Sequence, residues 1–151
     1  MSVAAQLVAQ RIVALNEEGF RSDVYDDATG QPIQCQGQPT IAYGCRCRQW
    51  SKSLGLKVLQ WMLEEFEAPL LNESWYLACN DARRSALLEI AYNQGDAGLE
   101  DGYPDLVAAV RAKNWPEAQA QCTVQDPALQ PRYARLAEIL GTGVNPFPPS
   151  P

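Results

Sequence analysis

The chain has 151 residues, 46% apolar and 20% charged, which fits one domain with a substantial core. Its 18 acidic and 12 basic residues give a net charge of −6, which argues against nucleic acid as a partner because phosphate recognition needs a basic face. There is no histidine. Ser-His-Asp and Cys-His mechanisms and His-ligated metals are therefore excluded, and proton transfer near neutral pH falls to carboxylates, Cys, Tyr or Lys.

Val8, Ile12 and Leu15 recur at helical spacing, so residues 2–18 are predicted to form an amphipathic helix stopped at Gly19. The same stretch has no basic start and is broken by Gln6, Gln10 and Arg11, so it is not read as a signal peptide, and no apolar run approaches membrane-spanning length. Between 20 and 44, Val24-Tyr25 and "TIAYG" are strand-like, with turn chemistry at "DDATGQP" and "QGQP". A small antiparallel β unit is expected there. The helical period returns at Leu56, with Leu59, Met62, Leu63 and Phe66, and is expected to end at Pro69. Asn80 is a candidate cap for the next helix, with Leu87, Ile90 and Ala91 inward and Gly95 as its stop. Pro104 suits the first turn of another helix, Trp115-Pro116 opens a short one toward Cys122, and "PRYARLAEIL" carries Tyr133, Leu136 and Leu140 on one side before Gly141 and Gly143. The tail 144–151 is proline-rich and expected to be extended. The resulting expectation is an α+β architecture with a ligand cleft between a small sheet and a helical lobe.

The candidate chemistry lies in "NEEGFRSDVYDDATG", residues 16–30. Glu18 falls at the C-terminal end of a predicted helix, where the dipole disfavours an ionised carboxylate, and burial beside Phe20 would act in the same direction. A carboxyl with a raised pKa suits a general acid. Asp27 falls in a turn with backbone donors and water nearby and is expected to stay ionised. Such a split between two carboxyl groups separates acid from base. On these residues alone, a solvated surface turn explains the same pattern.

Glu18-Gly19, Tyr25, Asp27, Gly30 and "TIAYG" resemble the catalytic signature of phage-type lysozymes (glycoside hydrolase family 24). "RRSALLEIAYNQG", "GYPDLVAAVRAKNWPEA" and "PRYARLAEILGTG" are similar to the family's later helices, so the resemblance covers nearly the whole chain apart from the tail. It implies a two-lobed lysozyme-like fold as a single domain. Residues 19–55 would form a small β-hairpin lobe, and 1–18 with 56–143 the helical lobe and connecting helix. It also implies hydrolysis of the β-1,4 link between N-acetylmuramic acid and N-acetylglucosamine in peptidoglycan, with inversion. Glu18 matches the general acid, Asp27 the carboxylate that holds or activates water, and Thr40 the hydroxyl that positions that water. Tyr92, Gln121, Arg46 and Leu106 match positions lining the sugar cleft. Arg132 and Arg135 match arginines sent toward the acid, and Asn93 is placed to join a polar network beneath it or to cap its own helix. No cofactor or metal is implied, and a monomer acting on glycan strands is expected. It would be made in the cytoplasm and reach the periplasmic face of the wall by holin- or secretion-mediated release.

The sequence departs from the family pattern in three places. "QPIQCQG" reads as an insertion between Asp27 and Thr40, Ala42 stands where a glycine is usual, and Cys45 where many relatives carry histidine. The five cysteines, Cys35, Cys45, Cys47, Cys79 and Cys122, are an odd number, so at least one is free or pairs elsewhere. Cys35 and Cys45 flank the lengthened hairpin and could cross-link its arms, while the alternative is five reduced thiols. Two other function classes fit the same residues: a non-catalytic glycan-binding module of lysozyme-like fold, and a metal-binding domain using Cys35, Cys45 and Cys47. The intact trio argues against the first, and the poor cysteine spacing against the second.

Overall fold

The computed structural model describes residues 1–15, 51–95 and 98–146 in full and the backbone of 40–41 and 45–46. Helix α1, Val3–Leu15, starts at Ser2, whose hydroxyl accepts the Ala5 N–H at 3.0 Å and satisfies one of the donors that a helix start leaves open. Its apolar stripe of Ala5, Val8, Ala9 and Ile12 faces inward as the spacing predicts. Helix α2, Lys52–Leu70, is capped by Ser51, which accepts the Leu54 N–H at 3.1 Å. It begins earlier than the sequence suggests, so residues 52–55 belong to it, and it ends one residue past Pro69. A proline that close to the end removes only a terminal hydrogen bond, and the helix stops with the next residue.

Between these helices, β1 (Thr40–Ile41) pairs antiparallel with β2 (Cys45–Arg46), placing Thr40 opposite Arg46 and Ile41 opposite Cys45. This corrects the α+β expectation: the described residues are otherwise helical and show no β-hairpin lobe. Two residues per strand cannot cover a core, and an isolated hairpin is marginal in water even at greater length. The other strand-like run, Val24-Tyr25, lies outside the described residues. The helical part is compatible with a lysozyme-like fold.

A short α3, Ser74–Leu77, leads to α4, Asp81–Gln94, which is buried over most of its circumference. Asn80 caps α4 as predicted, accepting the Arg83 N–H at 3.0 Å, and Gly95 closes it at φ 68°, where a side chain would be strained. Then come α5 (Gly98–Gly102), α6 (Pro104–Arg111), α7 (Trp115–Gln121) and α8 (Gln130–Thr142). Helix α4 is the hub and packs against α1, α2, α5 and α8. Leu87, Leu88 and Ile90 of α4 meet Val8 and Ile12 of α1, Leu63 of α2, and Leu136, Ile139 and Leu140 of α8 in one core with Leu106 and Val110 of α6.

Two polar groups are sealed inside that core. Arg11 of α1 and Glu89 of α4 are both fully buried and meet at 2.6 Å. The guanidinium donates from Nε and Nη2 to Glu89 Oε2, from Nη1 to Ser85 Oγ and Asn145 Oδ1, and from Nη2 to the Ser85 carbonyl. Elsewhere, buried Glu67 of α2 accepts from the Tyr76 hydroxyl at 2.9 Å and from the Ser2 hydroxyl. Burial and then the Glu67 charge raise the Tyr76 pKa far above its ordinary value, so this phenol is a hydrogen-bond donor at every working pH.

The Arg11–Glu89 pair has opposite consequences for single and double replacement. Arg11→Met should destabilise the protein by about 3–5 kcal/mol in urea unfolding, because it leaves a buried carboxylate without its cation. The double variant Arg11→Met, Glu89→Leu should recover most of that loss.

Candidate functional site

The proposed acid and base, Glu18 and Asp27, lie outside the described residues, as do Cys35 and Cys47. The described elements around them define what the chain brings to the site. Helix α1 is described through Leu15 and is locked to α4 by Arg11, so the chain enters the Glu18 stretch from an anchored element. Thr40 and Arg46 face each other across the β1–β2 register, which puts the expected water-positioning residue and one expected sugar-binding residue side by side along the backbone.

On the helical side, Leu106 and Gln121 line the same cleft, of about 330 Å³. Gln94 at the end of α4, Tyr103 and Asp105 around the start of α6, and Thr123 after α7 complete its polar surface. Leu106 is only 1% exposed, so it forms a floor and offers a ligand little area. Gln121 donates from Nε2 to Glu117 Oε1 at 2.7 Å, which fixes the amide and leaves its carbonyl oxygen as the acceptor it can offer. Tyr92 is not part of this cleft. It packs edge-on against Phe66 of α2, with ring centroids 5.7 Å apart and planes at 85°, a favourable aromatic geometry. Phe66 lines a separate recess with Leu70, Ala91 and Leu99.

Two of the expected supporting residues, Arg132 and Asn93, are in contact. Arg132, in the first turn of α8 and 6% exposed, donates from Nη1 to Asn93 Oδ1 at 2.6 Å. The Asn93 Nδ2 is buried without a hydrogen-bond partner. Arg135, one turn further along α8, has its pKa lowered by burial and then by the like charge of Arg11. Asn93 therefore belongs to a polar contact between α4 and α8, while the cap of α4 is made by Gly95.

Sequence reasoning missed Arg11 and Glu89, which hold α1 against the hub. A signal for both existed: each is a charge flanked by apolar neighbours, Arg11 by Val8 and Ile12, Glu89 by Leu88 and Ile90. Either alone reads as a break in a helix face. Only their meeting, 78 residues apart in the chain, gives them a role.

The described thiols offer no nucleophile. Cys79 and Cys122 are free and buried. Burial, and secondarily the Glu89 charge, push the Cys122 pKa up to about 12, and burial raises that of Cys79. A thiol whose pKa rises on folding favours the folded state fully below its unfolded value, and that contribution is lost as pH climbs through the folded value. For Cys122 the window runs from about pH 8.5 to about 12. Native Cys122 should accordingly resist an aromatic disulfide reagent at about pH 8 and react fully once unfolded in urea. Rapid native-state labelling of Cys122, mapped by peptide mass spectrometry, would contradict that assignment.

No helix among the described residues is long and apolar enough to cross a membrane. Compared with known families, residues 15–128 match the family model described as phage lysozyme. A search of curated proteins returns no match. The matched span includes Glu18, Asp27, Thr40, Tyr92, Asn93, Leu106 and Gln121, and stops before α8 with Arg132 and Arg135.

Proposed function

Because the chain belongs to the phage lysozyme family, we propose that it hydrolyses the β-1,4 bond between N-acetylmuramic acid and N-acetylglucosamine in peptidoglycan, with inversion, during bacterial cell lysis. The observation that carries this reading is the extent of the family match, which runs through the whole carboxylate stretch and on to the cleft-lining helices. The chemistry of the chain accords with it: there is no histidine, burial raises the pKa of the described thiols Cys79 and Cys122, and carboxylates are the groups suited to acid/base work on a glycosidic bond. Glu18 protonates the glycosidic oxygen as the bond to the anomeric carbon breaks. Asp27 accepts a proton from a water held on the opposite face of the sugar, and the Thr40 hydroxyl helps to orient that water. Leu106, Gln121, Tyr92 and Arg46 contribute to glycan binding, with Arg132 and Arg135 supporting the acid. Periplasmic action after release across the inner membrane accords with the family.

Two measurements test this. Glu18→Gln keeps the shape of the side chain and removes its proton, so a folded variant should clear outer-membrane-permeabilised Gram-negative cells about 10²–10⁴ times more slowly. Near-normal clearing by that variant would remove Glu18 from the mechanism.

Inversion requires space for a water between the carboxyl groups, roughly 6.5–9.5 Å. Proton NMR of a glycan digest should therefore show the α-anomer of the new reducing end first. Early accumulation of the β-anomer would mean retention and a nucleophilic Asp27.

A further inference from the structure

The ring of Tyr103 stacks on that of Tyr133 of α8, with centroids 5.9 Å apart and planes at 28°. Tyr133 is 2% exposed, and a side-chain hydrogen bond joins the two tyrosines. One face of the Tyr103 ring is therefore held from behind by the core. Tyr103 also lines the cleft of about 330 Å³ formed at the end of α4, the start of α6 and the end of α7. It stands at the N-cap of α6, yet its side chain makes no cap bond there. Among the described lining residues it is the one aromatic, since Tyr92 packs against Phe66 elsewhere. A ring already fixed in this way loses little freedom when a ligand is laid on it.

The rest of the lining limits what that ring accepts. The volume is at the lower end of the range for small-molecule sites, roughly 300–1,000 Å³, which suits one ring better than a chain. Gln94, Gln121 and Thr123 supply hydrogen-bonding groups without charge. Gln121 offers its carbonyl oxygen, because its amino group is bonded to Glu117. The Gln94 amide lies close beside Tyr103: a Cβ on the preceding Gly102 would come within 2.7 Å of it. Asp105 is the one charged residue among the described lining, and its negative charge disfavours an anionic ligand. A neutral N-acetylated pyranose has the matching chemistry. Its axial C–H bonds form an apolar face that buries area on an aromatic ring, while its hydroxyls and acetamido group pair with neutral polar side chains. Of the two sugars in peptidoglycan, N-acetylglucosamine fits this description. N-acetylmuramic acid carries a lactyl group that is either a carboxylate itself or the base of an acidic stem peptide.

We propose that Tyr103 is the stacking platform for an N-acetylglucosamine unit of the glycan, and that Asp105 keeps a muramic unit out of the same place. This deepens the reading of the chain as a peptidoglycan hydrolase and rests on it. Tyr103 supplies binding, and proton transfer stays with the carboxylates. Fixing which sugar lies on Tyr103 also fixes the register of an alternating strand, and hence which of its two kinds of bond is presented for cleavage.

The test is binding of the β-1,4-linked tetramer of N-acetylglucosamine to the full chain, by calorimetry and proton NMR, with urea unfolding as the check on folding. Tyr103→Leu should weaken binding about tenfold, while Tyr103→Phe, which keeps the ring, should stay within about twofold. On solubilised peptidoglycan strands, Tyr103→Leu should raise KM and leave kcat nearly unchanged, as expected when ground state and transition state lose the same contact. With the native chain, ring protons of the tetramer should shift upfield on binding, because they lie over an aromatic face. Free N-acetylmuramic acid should not compete with the tetramer for the native chain and should compete for Asp105→Asn. A folded Tyr103→Leu variant that binds the tetramer as tightly as the native chain would overturn the proposal. Should that variant fail to fold, the absence of an upfield shift with the native chain would overturn it equally. Competition by N-acetylmuramic acid that is the same for the native chain and Asp105→Asn would remove Asp105 from the role. If the native chain releases no reducing ends from peptidoglycan, the hydrolase reading fails; if it releases them while Tyr103→Leu binds as before, only the role of Tyr103 fails.

Discussion

The described fold depends on one buried ion pair. Arg11 and Glu89 are each about 1% exposed in their side chains, and removing two such charges from water costs more than their attraction alone returns. The site compensates by satisfying the guanidinium with hydrogen bonds. Glu89, Ser85 and Asn145 take bonds from all three of its nitrogens. Two of these partners lie on α4 and the third just after α8, so a single side chain of α1 reads the position of two other elements. Leucines packed at the same place would bury comparable area but could slide along one another. A planar fork on a carboxylate cannot. The pair therefore fixes how α1 lies on the hub more than it adds net stability, and α1 is the element from which the chain departs toward Glu18.

Helices α4 and α8 repeat this logic at both ends of their contact. At one end Arg83 of α4 donates to the carbonyls of Leu140 and Gly141, at 2.8 and 3.1 Å, which would otherwise lack partners at the end of α8. A cation there also complements the helix dipole. The same guanidinium lies 3.8 Å from the centre of the Trp115 ring, and Asn80 donates to the Gly143 carbonyl at 2.9 Å. Glycine suits the end of this clamp: Gly143 sits at φ 71°, and a Cβ there would come within 2.9 Å of the Arg83 Cζ. At the other end Arg132 of α8 reaches Asn93 of α4. The two helices consequently run antiparallel, clamped by an arginine at each end, with Leu87, Ile90, Leu136, Ile139 and Leu140 between. The structural clamp uses backbone carbonyls as acceptors, whereas the clamp near the proposed site uses a side chain.

What could be read from the sequence divides along the same line. Asn80, Pro104, Pro116, Gly95 and Gly143 mark helix ends through chemistry local to each residue, and all five stand where that chemistry puts them. The expected β lobe is not seen among the described residues, where pairing is limited to Thr40–Ile41 with Cys45–Arg46, because a strand is defined by a partner that local pattern does not supply. Leu106 and Gln121 were grouped correctly as neighbours in a cleft, but Tyr92, three residues before Gly95, faces Phe66 elsewhere. Arg11 and Glu89 escaped because a charge on an apolar face reads as an interruption until its partner is known. The family match ends at residue 128 and does not reach Arg132, which the structure places in contact with Asn93 of α4.

On the proposed mechanism, these arginines set a constraint on the acid. The Arg135 pKa is lowered by burial and then by the like charge of Arg11, so positive charge gathers where α1 and α8 come near. A carboxyl group brought to that field alone would ionise too readily to serve as a proton donor at neutral pH. Desolvation acts in the opposite sense, and a general acid of usable strength requires the two to come near balance. Arg11 is already matched by Glu89, which removes one positive charge from the sum.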